Sequence, residues 1–164
     1  MKKVLLIFVL ILTLFGCSSQ NKKDANPNER YFYIIDVLKE HDSFSTTSNY
    51  FDISVEMAKI NDGYRYYITI DNPKIAMYDI ELLAIENGVD YTSNMAANVG
   101  IFEETQYNMI PNQANVDKGY TKGIVASGVS KNSETKLYVF TQFKNVDFSK
   151  VHTDYFVLDA KYEG

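Results

Sequence analysis

The chain has 164 residues, one cysteine, no tryptophan, and 16 Lys and Arg against 21 Asp and Glu, a formal charge of −5. That length suits one domain, and a single cysteine excludes both an internal disulfide framework and a cysteine-built zinc cage. The acidic balance argues against nucleic acid, whose phosphates must be neutralised by Lys and Arg.

Met1-Lys2-Lys3 is a short basic start, and residues 4–15, VLLIFVLILTLF, carry Thr13 as their only polar side chain. As a helix this run would cover roughly 18 Å, well short of the ~30 Å hydrocarbon core of a bilayer. A basic start followed by a short apolar run is the pattern of a secretory signal peptide. Leu14-Phe15-Gly16-Cys17 comes next. An aliphatic residue, a variable one, a small one and then cysteine resembles the lipobox of bacterial lipoproteins, with Phe15 larger than the residue usual at its position. The resemblance covers residues 1 to about 20. It implies cleavage between Gly16 and Cys17, a diacylglyceryl group on the Cys17 thiol, and residence on the extracytoplasmic face of the cell membrane. Each buried methylene contributes about 0.8 kcal/mol and one acyl chain anchors only marginally, so two or more chains on Cys17 would suffice. No cofactor is expected beyond that covalent lipid. Removal of residues 1–16 takes Lys2 and Lys3 away and moves the formal charge from −5 to −7.

Residues 18–29, SSQNKKDANPNE, hold almost nothing apolar. Such a stretch cannot bury enough surface to offset its ordering entropy, so 17–29 is expected to be a lipidated tether and 30–164 a single domain. At 30–41, RYFYIIDVLKEH, the apolar residues Tyr31, Ile34, Ile35 and Leu38 fall at i, i+3, i+4 and i+7, which predicts a short helix with Asn28 as its cap. The competing reading is a strand, because Tyr, Phe and Ile favour sheets.

The remainder reads as β. Phe51, Ile53, Val55 and Met57 alternate with polar or small residues, as do Tyr64, Tyr66, Ile68 and Ile70, and Asn61-Asp62-Gly63 lies between the runs. Two alternating runs around Asp-Gly predict a hairpin. Asn72-Pro73 ends its second strand. A third strand is expected over about 75–85, with Glu86-Asn87-Gly88 as its turn, and one more near 99–103. Residues 89–118 otherwise read as loop, either a carrier of binding groups or a long crossover between two sheets. Strands over about 120–129, 136–143 and 155–161 complete the chain. Short strands separated by turn signals predict a mainly β protein, an antiparallel sandwich of about seven strands with one short N-terminal helix. The layout also resembles the lipid-anchored Ig-like sandwich lipoproteins of Gram-positive bacteria, without the cysteines and core tryptophan of antibody domains.

Residues suited to chemistry are sparse. His41 and His152 lack a second His or Cys at ligand spacing, so no metal site is expected. Ser133-Glu134-Thr135-Lys136 matches S-x-x-K. The companion elements of penicillin-binding enzymes are missing, however, and their serine opens a helix whereas Ser133 sits in a turn. Glu103-Glu104 reads as a solvated strand end. The thirteen tyrosines are better suited to an interface, and strand alternation puts Tyr64 and Tyr66 on one face and Arg65 and Tyr67 on the other. Arg65 with Tyr67 is therefore the candidate partner patch, against the plainer reading of ordinary sheet surface. The chain reads as a non-enzymatic envelope module that contacts the membrane through its lipid and another envelope or surface protein through its domain. The alternative is an envelope hydrolase or small solute-binding component with a site of unfamiliar form.

Overall fold

The structure, a computed structural model, describes residues 26–164. The expected signal segment, the Leu14-Phe15-Gly16-Cys17 box and residues 18–25 of the expected tether lie outside the described residues. Helix α1 (Pro27–Glu40) comes first. Its cap is Asn26, two residues before the expected Asn28, and the Asn26 side chain accepts the Asn28 N–H at 3.0 Å. Pro27 then opens the helix, where its fixed φ is already helical and its missing N–H costs nothing. Pro27, Asn28 and Glu29 thus belong to the helix and not to the tether. Glu29 and Lys39 lie in the first and last turns and complement the helix dipole. The predicted stripe of Tyr31, Ile34, Ile35 and Leu38 is the buried face.

Seven strands follow: β1 (Asp52–Ile60), β2 (Gly63–Asp71), β3 (Tyr78–Glu86), β4 (Ala97–Val99), β5 (Gly123–Ser130), β6 (Glu134–Lys144) and β7 (Val151–Lys161). They form two antiparallel sheets, ordered β1-β2-β5 and β4-β3-β6-β7. The sheets share one core. Tyr66, Ile68, Ile70, Ile124 and Ala126 from the first meet Leu82, Ala84, Leu137, Val139, Phe156 and Leu158 from the second. The helix covers the outer face of the second sheet, where Leu83, Ile85 and Phe140 join its stripe in a second core.

The hairpin of β1 and β2 has its expected register, with Ile60 opposite Gly63. Gly63 sits at φ +120°, and a Cβ there would lie 2.6 Å from the Ser130 carbonyl oxygen. Elsewhere the boundaries shift for local reasons. The third strand starts at Tyr78 rather than 75, because Met77 is exchanging backbone hydrogen bonds with Met109 and the ladder is irregular between Tyr78 and Glu81. The fourth is Ala97–Val99, ended by Gly100 at φ +80°. A Cβ on Gly100 would overlap the Ile80 carbonyl. The fifth begins at Gly123, since Tyr120 and Thr121 bond back to Asn115 and Asn108. β6 and β7 run longer than expected because they pair over all eleven residues of each. The crossover expected within 89–118 is the link from β4 to β5.

Tyr66 lies opposite Gly128 across the β2–β5 ladder. The missing side chain on Gly128 leaves the space that the buried Tyr66 ring occupies, and a Cβ there would overlap the end of that ring. An aromatic laid over a cross-strand glycine compensates for the glycine's lack of packing. Gly128→Ala should therefore lower the unfolding free energy by about 1–3 kcal/mol, measured by urea denaturation. The cost should shrink by roughly 1 kcal/mol in a Tyr66→Leu background, because the two sites share one space.

Candidate functional site

The two sheets differ in what covers them. α1 lies over β3 and β6, but among the described residues no element covers the outer face of β1-β2-β5. On that face Glu56 and Ser127 flank Tyr67, Ala58 and Val129 flank Arg65, and Ser54 and Val125 flank Thr69. Tyr67, Val125 and Val129 are 37%, 53% and 51% exposed. The structure thus places Arg65 and Tyr67 together on the solvent side, as the alternation required. Tyr66 is core, and Tyr64 packs half-buried against Tyr162 with ring centroids 5.5 Å apart.

A cleft of about 750 Å³ adjoins this face, lined by Arg65, Tyr66, Glu86, Tyr91, Asn98 and Val129. Its floor was hidden in the sequence. Glu86, read there as a turn residue, is the last residue of β3 and only 7% exposed. Its Oε1 accepts from Ser130 Oγ at 3.0 Å and from Asn132 Nδ2 at 3.3 Å, and no ion pair among the described residues includes it. A carboxylate at the end of the apolar run Leu82–Ile85 is the one signal that marked it. Tyr91 Oη accepts the Glu86 N–H at 2.5 Å, and Tyr31 Oη accepts the Ala96 N–H at 2.7 Å. These two bonds pin the start of the 89–118 segment. Burial, with the Glu86 charge beside it, holds the Tyr91 hydroxyl up at about 12, and burial raises Tyr66 and Tyr31 as well.

The opposite end of the molecule holds a cavity of about 430 Å³ lined by Pro27, by the start of β3 and by residues 100–107. Arg30 Nε donates to Glu81 Oε2 at 3.0 Å, and Lys144 Nζ to Asp79 Oδ2 at 2.6 Å. Asp79 has φ +49°, and its Oδ1 is buried without a partner. Glu103 accepts the Gly100 N–H at 2.9 Å, so half of the predicted acidic pair closes a turn. Both cations of this cavity are already neutralised, which makes it an ion-paired joint between helix and sheet.

The remaining candidates lie apart. The His41 ring stacks on Tyr155 at 3.7 Å and the His152 ring on Phe143 at 4.9 Å. Ser133 uses its carbonyl to accept the Tyr162 N–H at 2.8 Å, while Lys136 reaches Asp159 at 3.6 Å. Residues three apart along an extended chain point to opposite faces, so the S-x-x-K pair does not converge. Among the described residues no group of His, Cys, Asp and Glu is arranged to hold a metal ion, and no helix is long and apolar enough to cross a membrane.

No protein-family model and no curated protein sequence matches the chain. Among solved structures it is similar to one described as the X-ray structure of Northeast Structural Genomics Consortium target SoR45. The identity is 14% and the TM-score 0.44, over 73% of this chain and 92% of that one.

Asp154, half-buried on β7 beside Ser48 and His152, has a measurable signature. Burial raises its carboxyl above the ordinary range, against a weaker lowering by the Ser48 hydroxyl and His152. The folded state therefore binds this proton more tightly than the unfolded chain. Its contribution to stability is largest at low pH and falls as pH rises from the ordinary carboxylate value through the raised one. Asp154→Asn should be more stable than the parent at pH 7, and the difference should vanish toward pH 3 in thermal melts.

Proposed function

We propose that the chain is a lipid-anchored, extracytoplasmic, non-enzymatic binding module of the cell envelope, which docks another envelope protein on the outer face of β1-β2-β5. The bare face carries this reading. One sheet is covered by a helix, whereas the other presents Tyr67, Val125 and Val129 to solvent with Arg65 and Glu56 beside them and Asp52 opposite Asp71 at one end of the face. Low charge density with Tyr and Arg at the centre is the composition of interface cores. The adjoining cleft extends the surface, and its buried Glu86, which makes no ion pair among the described residues, suits a basic or hydroxyl-bearing side chain of the partner.

The strand order supports an Ig-like sandwich. In the constant-type Ig domain, strands A, B, E and D form one sheet and C, F and G the other. Here β1, β2 and β5 stand as A, B and E, and β3, β6 and β7 as C, F and G, with β4 moved to the edge of the β3 sheet. The anchor rests on Leu14-Phe15-Gly16-Cys17, with Gly16 and Cys17 flanking the cleavage point and Cys17 the lipid acceptor.

Two measurements test the reading. Cys17→Ala should abolish incorporation of labelled fatty acid; undiminished labelling removes the anchor. Arg65→Ala with Tyr67→Ala should weaken capture of the partner from solubilised envelopes roughly tenfold, as expected for a loss of about 1.4 kcal/mol. Lys136→Ala, on the other sheet, should leave capture unchanged. Equal capture by the parent and both variant baits removes the face from the interface.

A further inference from the structure

Exposed apolar side chains gather at the end of the molecule where the described chain begins. Pro27 lines the cavity there together with Phe102 and Lys144. Beyond Lys144, the β6–β7 turn carries Val146 and Phe148, which are 66% and 51% exposed, and Val151 at its far side is 42% exposed. Tyr78 at the start of β3 stacks on Phe148, with ring centroids 5.3 Å apart. Tyr120 lies beside Tyr78 and brings in the loop that holds Val116, 94% exposed. Three separate loops therefore each present an apolar residue around one point of chain entry.

The turn is built to hold that display. Phe148 has φ +58°, a region that bulky residues avoid. It stays there because the loop satisfies its own backbone. Phe148 N–H donates to the Asn145 carbonyl at 3.0 Å, Lys150 N–H to Asn145 Oδ1 at 3.0 Å, and Ser149 N–H to Asp147 Oδ1 at 3.0 Å. A loop with its polar groups bonded internally can enter a headgroup layer without leaving them unpaired. The nearby charges are of both signs, among them Asp117, Asp147, Glu103 and Glu104 with Lys118, Lys144 and Lys150.

We propose that this end, with Val146 and Phe148 at its tip and Val116 and Phe102 beside them, rests in the surface of the bilayer that holds the lipid on Cys17. The proposal depends on the lipoprotein reading, because that reading puts a membrane within reach. Cys17 is nine residues before Asn26, at most about 30 Å of extended chain, and Asn26 adjoins the same end. A domain held that close meets the bilayer at a high effective concentration, so a shallow apolar contact is enough to orient it.

The absence of tryptophan makes the test direct. The full chain carrying Phe148→Trp is purified from the producing membrane, its mass is measured for lipid on Cys17, and it is reconstituted into phosphatidylcholine vesicles. The comparison variant is Asn61→Trp, in the turn at the other end of the strands. The expected result is a blue-shifted indole emission from the Phe148→Trp protein, quenched by brominated lipid at least about twofold more than the emission of the Asn61→Trp protein. Val146→Trp should repeat the result if Phe148→Trp folds poorly. Solvent-like, unquenched emission on lipidated, vesicle-bound protein overturns the proposal and leaves the anchor intact. A blue shift without vesicles that grows with protein concentration also overturns it, because a second copy then covers the tip. A mass without lipid refutes the anchor on its own account. The same chain is then coupled through Cys17 to maleimide lipid, and the two emissions decide the docking as before.

Discussion

β3 has no solvent side along most of its length, and the rest of the architecture follows from that. Leu82, Leu83, Ala84 and Ile85 are each at most 3% exposed, with Leu82 and Ala84 in the core between the sheets and Leu83 and Ile85 in the core beneath the helix. A strand apolar on both faces needs a layer on each side. The β1-β2-β5 sheet supplies one and α1 the other, so the helix is a required cover. Four side chains of α1 buried to 3% or less, at about 1.5–3 kcal/mol each as an upper estimate, make it integral to the domain. The layers run helix, four-stranded sheet, three-stranded sheet, and the stack leaves one broad face with nothing on it.

Where β3 loses its apolar character, polar side chains mark its two ends. At its start Glu81 meets Arg30, and Asp79, in a left-handed conformation, meets Lys144. At its finish Glu86 has hydrogen-bond donors but, among the described residues, no ion pair. The two cations at the start are neutralised within the fold, although Asp79 Oδ1 has no partner among the described residues, whereas the Glu86 carboxylate accepts from a hydroxyl and an amide and retains capacity for a further donor. The same strand thus ends in a structural joint on one side and in a group with unspent binding capacity on the other.

Legibility in the sequence followed the locality of the cause. The helix stripe at Tyr31, Ile34, Ile35 and Leu38, the Asn61-Asp62-Gly63 hairpin and the outward pairing of Arg65 with Tyr67 depend on neighbours a few positions away, and the structure shows each of them. The cap lies two residues from its expected place because Asn26 and Asn28 are chemically equivalent candidates, and only the helical φ of Pro27 decides between them. The strand limits near 75 and 99 depend on Met109 and Ile80, partners remote in sequence. Glu86 was hidden because its donors arrive from Ser130 and Asn132, more than forty residues away, and no local pattern distinguishes a buried carboxylate from a turn residue. Tyr66 over Gly128 was equally hidden, since a glycine within a strand announces a close approach without naming what approaches.

The long axis of the strands relates these sites to one another. Nine residues of β1 cover about 30 Å at ~3.3 Å each, and the chain enters at one end of that axis while Glu86, Asn132 and the Asn61-Asp62 turn occupy the other. The anchor proposed at residue 17 would hold the Pro27 end nearest the lipid and turn the Glu86 end outward. The bare face of β1-β2-β5 runs along the axis between them, so a protein approaching from the side reaches Tyr67 and Val125 without being blocked by the bilayer. In the proposed orientation, apolar loop tips at the near end would add a constraint on tilt that chain length alone cannot supply, because nine residues fix a maximum distance but no direction. Two weak contacts on different loops resist rotation where one tether does not. A module oriented as proposed would present its open face and the Glu86 carboxylate away from the bilayer, and the anchor proposed at Cys17 would set which end of the fold meets the membrane.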